Sequence, residues 1–183
     1  METFSPPKAF TENLYFKKQR QSALKDLQTA QIDPPMAAIV TAFSQLPYCF
    51  TLQCCCGHFL YEGMRDPQNP APLPDSEIFG DIEYRLAYIA LCVEESEKGL
   101  ALFEKLRSIT AIDSEYIQFG SPDWFWEMQV NSYALQVEPA RFRMLDKVKI
   151  GCGEARHIEK TCNLFLNALG NLVKKLAMEV RRS

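Results

Sequence analysis

The densest group of reactive side chains is the segment Gln53-Cys54-Cys55-Cys56-Gly57-His58, which places three thiols beside an imidazole. Side chains alternate between the two faces of a β-strand, so in an extended segment Cys54, Cys56 and His58 share one face. Two thiolates and an imidazole form a partial zinc set, completed by an open position or by a distant fourth ligand. No second pair with C-x2-4-C spacing is present, so packing of the cysteines as small buried hydrophobes stays open.

A cysteine nucleophile is a second option, with His58 or His157, the two histidines of the chain, as its base. However, residues two apart in a strand point side by side and do not converge in a cleft. The glycine-rich phosphate motifs and the G-x-S-x-G motif of serine hydrolases are absent.

Aromatic residues are concentrated in Phe119-Gly120-Ser121-Pro122-Asp123-Trp124-Phe125-Trp126, around a turn signal. Such rings stack on a base or an adenine in nucleotide-binding proteins. The alternative is that they fill the core, and the sequence leaves both open.

The elements that must position these groups follow one another irregularly, which excludes a regularly alternating doubly wound fold. The pattern predicts an α+β domain with a mixed or antiparallel sheet and helices at both termini. The predicted helices are Lys8–Ala30, Asp33–Leu46, Glu94–Leu106 and 158–176. The predicted strands are Tyr48–Cys56, resuming at Phe59–Tyr61, then Leu86–Val93, Glu115–Phe119, Trp124–Val130 and Tyr133–Val137.

Two segments carry further expectations. The loop Arg65–Asp75 contains four prolines and is either a flap over a site or a tolerated surface insertion. In the last helix, apolar residues at steps of three and four predict a buried face. Its expected core positions are Ile158, Phe165, Leu169 and Leu172.

Composition sets the class of protein. The 183 residues, 47% hydrophobic and 23% charged, suit one domain over residues 1–183. No apolar run reaches the roughly 18 to 20 residues of a membrane span, and the first residues lack a signal-peptide pattern. Seven cysteines in such a chain predict reduced thiols and a cytoplasmic location. The net charge is −3, but residues 141–183 carry 10 basic against 4 acidic residues. This excess suits either a solvated helix or a face that attracts phosphate.

The segment Leu46–Phe59 resembles the tRNA wybutosine-synthesis methyltransferase family, the third protein of that pathway. In that family a helix is followed by a stretch such as P-D-Y-Y-T-T-S-S-C-S-G-R-I. Four residues fall on the family's Tyr, Thr, Cys and Gly: Tyr48, Thr51, Cys55 and Gly57.

The resemblance extends more weakly over most of the chain, through the strand Leu86–Val93, the strand Tyr116–Gly120 and the last helix. Within the motif, Cys54 and Cys56 replace serines and His58 replaces an arginine. The family's W-x-x-x-S-H stretch has no counterpart, and the proline-rich loop stands in its place.

The resemblance implies an enzyme that binds S-adenosylmethionine and methylates a modified guanosine beside a tRNA anticodon. It places the cofactor at a turn that joins two strands and opens onto a cleft bordered by Phe119–Ser121 and overlapped by the proline-rich loop. The cofactor-binding residues expected are Cys55, Cys56, Gly57, His58, Gly120 and Ser121. The basic residues expected to hold RNA phosphate are Arg141, Arg143, Lys147, Lys149 and those of the last helix.

Two other functions stay open on the same fold. One is a small-ligand binding protein that uses a metal or thiols, with zinc held by Cys54, Cys56 and His58. The other is an interaction module without catalysis, forming a homodimer through the last helix.

Overall fold

Six strands and five helices make up the parts of the chain that the computed structural model describes, residues 4–62, 72–74, 80–142 and 145–182. The helices are α1 (Phe16–Asp26), α2 (Pro34–Ser44), α3 (Glu97–Ser108), α4 (Asp123–Met128) and α5 (Cys152–Arg182). The strands are β1 (Phe4–Ser5), β2 (Cys49–Leu60), β3 (Ile82–Val93), β4 (Ile117–Pro122), β5 (Ser132–Val137) and β6 (Lys147–Ile150). The predicted α+β class with an antiparallel sheet is confirmed.

The strands form one sheet in the order β1-β4-β5-β3-β2, and every neighbouring pair is antiparallel. The central strand β3 changes partner along its length, because residues 87–92 pair with β5 and residues 82–85 pair with β6. On its other side β3 pairs with β2, which forms an edge of the sheet and carries a bulge between Thr51 and Gln53. The long β2–β3 pair is thus the scaffold of the cysteine-rich segment.

The main core lies between one face of the sheet and helices α2, α3 and α5. In α5 the predicted core positions Ile158, Phe165 and Leu169 are fully buried, whereas Leu172 is half-buried and Val173 takes the next core position. The difference follows from the helical period. Strict alternation of steps of four and three gives 3.5 residues per turn, and the true 3.6 requires an extra step of four.

The opposite face of the sheet is covered only in part. Phe16 of α1 packs on Phe50 and Cys92 at one end, and Phe125 of α4 packs on Ala90 and Ala134 in the middle. The remainder of this face, which we call the open face, carries no helix among the described residues.

A kink in β2 and β3 marks the point where β3 changes partner. Core positions are Cys56 and Phe59 in β2, and Tyr84 and Ala87 in β3, so both strands shift their alternation there. The Tyr84 hydroxyl donates to the Val137 carbonyl oxygen at 2.9 Å and accepts from the Ala87 N–H at 3.0 Å. It therefore satisfies backbone groups that the change of partner leaves without a strand partner.

The first predicted helix, Lys8–Ala30, is shorter in the structure, where α1 spans Phe16–Asp26. The Lys8 and Thr11 N–H groups donate instead to the side chains of Ser121 and Asn131, which keeps this segment out of the helix.

Two further differences from the prediction concern α4 and β6. The predicted strand Trp124–Val130 is instead helix α4, which begins after Pro122 and places Asp123 in its first turn, facing the positive end of the helix dipole. Strand β6 was not predicted. Of the loop Arg65–Asp75, only residues 72–74 are described, and the Leu73 N–H donates to Glu159 at 2.7 Å. The rest of the predicted flap lies outside the described residues.

None of the helices that the structure describes, α5 included, has the apolar stretch needed to cross a bilayer.

Candidate functional site

The cysteine-rich segment lies within one continuous strand, β2, and not at a turn between two strands. Gly57 has a φ of +85°, yet the residues on either side keep their pairing with β3. Cys54 and Cys56 face the helix-covered core, whereas Cys55 lies in the wall of a cleft on the open face. The backbone at Gly57 shifts the alternation of side chains along β2 by one residue. His58 therefore lies on the same side of the strand as Cys55, away from the core, and Phe59 points into the core.

Asp33, at the start of α2, approaches the outer edge of β2 beside this segment. Its Oδ2 accepts a hydrogen bond from the Cys56 N–H at 2.9 Å and lies 3.5 Å from His58 Nε2. A carboxylate oxygen of Asp33, Cys55 Sγ and a ring nitrogen of His58 all lie within 4.8 Å of one another. Of the predicted zinc set, His58 is in this cluster, and the sulfur that joins it is that of Cys55 instead of Cys54 or Cys56.

The three thiols are held in the protonated form. Burial, and after it the negative charge of Asp33, raises the pKa of Cys54 to about 11 and that of Cys56 to about 12. For Cys55, burial and Asp33 outweigh a hydrogen bond from the Gly57 N–H and raise the pKa to about 11. A nucleophilic cysteine requires a lowered pKa, so this environment argues against that option.

The second histidine lies elsewhere. His157 is on α5 and its Nε2 lies 2.9 Å from Asp113, just after the third helix. It is paired with that carboxylate and belongs to no cluster with a thiol among the described residues.

Burial would raise the pKa of Asp33, but hydrogen bonds from Cys56 and the charge of His58 together lower it. Asp33 is therefore ionised at neutral pH, as a salt-bridge or metal-binding carboxylate must be.

The open face holds a cleft of about 870 Å³. Its walls come from the end of β4, from β2, β3, β5 and α4, and from the residues before β6. Three aromatic residues, two amides and two charged residues contribute: Tyr88, Trp124, Phe125, Gln53, Gln136, Arg85 and Asp146. A concave site of this size, with apolar rings and a few convergent polar groups, is typical of small-molecule binding.

The side-chain amide of Gln136 is held by a hydrogen bond to a buried residue. Its Nε2 donates to the carboxylate of Glu138, which is fully buried, and the Gln118 Nε2 donates to the Glu138 carbonyl oxygen at 2.6 Å. Because the amide nitrogen is held by a buried group, the side chain is oriented before any ligand binds.

The predicted cofactor-binding residues divide into two groups. Cys55 lines the cleft, and Gly57 and His58 adjoin it on β2, whereas Cys56 faces the core. Gly120 pairs with Ala134, and the buried Ser121 Oγ accepts a hydrogen bond from the Lys8 N–H at 3.0 Å. The wall that these two residues were expected to form begins one residue later, at Pro122.

The aromatic residues of segment 119–126 divide between packing in the core and lining the cleft. Phe119 packs with Phe103 and Tyr133 in the core, and Trp126 packs against Tyr133. Trp124 is 47% exposed and lines the cleft. The run of aromatic residues pointed to Trp124, but the position at which α4 begins determines which of the rings faces outward.

The basic residues differ in their availability. Arg141 is engaged by Glu115, Glu154 and the Tyr116 hydroxyl. Arg85, in the wall of the cleft, and Lys147, beside it, contact the half-buried carboxylate of Glu83 at 3.2 and 3.5 Å.

Lys149 lies 3.8 Å from Asp81, and Arg143 lies outside the described residues. Lys174 of α5 lines a groove against α2, on the opposite side of the molecule. Binding of tRNA and formation of a homodimer stay predictions.

Comparison with known proteins does not assign a family. No protein-family model matches the chain, and no curated protein matches its sequence. Two solved structures of the PH1069 protein, from Pyrococcus horikoshii and from Pyrococcus horikoshii OT3, align with a TM-score of 0.46 and 12% identity. The first alignment covers 90% of this chain and 95% of that one, the second 94% and 96%. A TM-score below 0.5 at this identity shows neither a shared family nor a shared activity.

Proposed function

We propose that the cleft on the open face binds S-adenosylmethionine and that the protein transfers its methyl group to a nucleotide of RNA. The observation that carries the proposal is the position of the cleft. Cys55, from the segment that resembles the wybutosine-synthesis methyltransferases, lies in its wall together with Trp124.

The lining suits the parts of S-adenosylmethionine. An exposed indole such as Trp124 offers a face for stacking of the adenine ring, which contributes roughly 1 to 3 kcal/mol. The sulfonium is a cation, and both aromatic faces and the carboxylate of Asp146 attract it. Gln53 and Gln136 supply donors and acceptors for the ribose and the amino-acid end.

Methyl transfer suits a site without an activated side chain. The bond between sulfur and the methyl carbon breaks with its electron pair left on sulfur, while the acceptor atom forms the new bond and releases its proton to water. Holding the two reactants in line supplies most of the acceleration. The protonated thiols of β2 therefore fit a wall of the site better than a nucleophile.

The RNA would lie along the β3–β6 side of the cleft. Arg85 and Lys147 are more than half exposed there, with side-chain exposures of 53% and 62%. Their pairs with Glu83 lie at the surface and contribute little free energy, so phosphate oxygens can replace that carboxylate. Such contacts make binding dependent on salt concentration.

Calorimetric titration with S-adenosylmethionine tests the first half of the proposal. We expect binding by the wild type and a dissociation constant raised by about 5- to 150-fold in Trp124→Ala, the equivalent of the stacking energy above. Met128→Ala is the matched control, because Met128 is on the same helix and 60% exposed but does not line the cleft. No heat of binding and no thermal shift at millimolar cofactor would contradict the proposal.

Transfer of a labelled methyl group to tRNA that carries the modified guanosine tests the second half. We expect labelled RNA, and weaker RNA binding with unchanged cofactor binding in Lys147→Glu. Lys174→Glu, on the opposite side, changes the net charge equally and should have a smaller effect. Cofactor binding without labelled RNA would leave a binding protein and not an RNA methyltransferase.

A further inference from the structure

We propose that Asp33, Cys55 and His58 bind a divalent ion of the zinc type at the β2 end of the cleft. This inference rests on the edge of β2 and does not depend on the methyl-transfer proposal.

The distances suit a small tetrahedral ion. Ligand bonds of 2.0–2.3 Å to zinc place the ligand atoms of a tetrahedron about 3.3–3.8 Å apart. His58 Nε2 and Asp33 Oδ2 are 3.5 Å apart, and Cys55 Sγ lies within 4.8 Å of a carboxylate oxygen of Asp33 and of a ring nitrogen of His58. Bringing the sulfur to a tetrahedral spacing needs a movement of at most about 1 Å, which rotation about the side-chain bond of Cys55 supplies.

Backbone groups already orient two of the three ligand atoms. The Cys56 N–H donates to Asp33 Oδ2 at 2.9 Å, and the Gly57 N–H donates to Cys55 Sγ at 3.4 Å. Cys55 releases its thiol proton when the ion binds. Donors in this position stabilise the negative carboxylate and the thiolate so formed and fix their direction, as the outer partners of metal ligands do.

The donor set selects the class of ion. A thiolate, an imidazole and a carboxylate suit zinc, whereas calcium and magnesium prefer oxygen ligands alone. One thiolate and one carboxylate neutralise the double charge of the ion in a half-buried place, where the side chains of His58 and Asp33 are 21% and 31% exposed. The cluster contains no fourth protein ligand among the described residues, so one position is open to water or to a donor atom of a ligand in the cleft.

Titration of chelator-treated protein with zinc, and with cobalt(II) as a spectroscopic probe, tests the site. We expect one equivalent to bind and the cobalt form to show a thiolate-to-metal charge-transfer band. Cys55→Ser should abolish the band and weaken zinc binding by at least about tenfold, and His58→Gln should weaken binding to a similar extent while keeping the band. Cys54→Ser is the matched control, because its thiol is adjacent in sequence but faces the core.

Full zinc affinity in Cys55→Ser, or an equal loss in Cys54→Ser, would overturn this ligand set, and so would the absence of binding by the wild type. The near-ultraviolet circular dichroism of each variant verifies its fold, and His58→Gln provides an independent test should Cys55→Ser not fold.

Discussion

The two faces of the sheet are used differently. The helix-covered face is sealed by apolar residues of α2, α3 and α5, many of them without any exposed surface. On the opposite face, α1 and α4 make two small apolar contacts, and beyond α4 the open face holds a cleft lined by rings, amides and charges. Apolar burial is thus concentrated on one face, and the cleft on the other face presents polar and aromatic side chains toward a ligand.

The largest effect should come from the sealed face. Leu169→Ala removes a fully buried side chain of α5 and should lower the free energy of unfolding by about 2–5 kcal/mol. Leu164→Ala, on the same helix but 47% exposed, should change it by less than about 0.5 kcal/mol. Equal losses in urea unfolding would show that α5 is not packed through the assigned face.

The next largest loss of stability should follow from removal of the Tyr84 hydroxyl, at the kink in β2 and β3. Tyr84→Phe leaves the buried Ala87 N–H and Val137 carbonyl oxygen without this partner and should cost about 1–3 kcal/mol. Tyr15→Phe removes a hydroxyl from a ring that is 68% exposed and should be neutral. A midpoint in urea as high as that of Tyr15→Phe would mean that the hydroxyl does not hold the kink.

A somewhat smaller loss of stability should follow from substitution of Gly57 within β2. Gly57→Ala imposes a side chain at a φ of +85° and brings its Cβ to 2.9 Å from the Ala87 Cβ. We expect a loss of about 1–2 kcal/mol. Gly153→Ala in α5 meets nothing within 4 Å and should be neutral or slightly stabilising. Identical melting temperatures for the two variants would contradict the strained geometry at Gly57.

The smallest stability effect should be on the open face. Trp124→Ala should change the free energy of unfolding by less than about 1 kcal/mol, because the ring is 47% exposed, while cofactor binding weakens as stated above. The comparison between the faces would fail if this variant lost as much stability as Leu169→Ala.

The sequence predicted the sealed face better than the open one. Helix α5 and strand β3 follow from apolar residues at regular spacing, a local property that survives in any arrangement of the chain. The cluster at Asp33 could not be predicted in this way, because Asp33 lies 23 residues before Cys56 and reaches β2 only through the packing of α2.

Local irregularities of the backbone account for the other differences between prediction and structure. The alternation rule placed Cys56 and His58 on one face, and the positive φ of Gly57 separates them. The aromatic run Trp124–Val130 was predicted as a strand, which was wrong, because α4 begins at Asp123 and its helical turn exposes Trp124.

The position of Asp33 also hinders the addition of another strand to β2. Among the described residues β2 is a twelve-residue edge strand, and a strand of that length is a template onto which another polypeptide can add. The Asp33 carboxylate already occupies the Cys56 N–H, and the bulge at Leu52 interrupts the row of backbone groups on the same strand. An incoming strand would have to displace the carboxylate and match the bulge, so edge-to-edge aggregation along β2 is blocked near its middle.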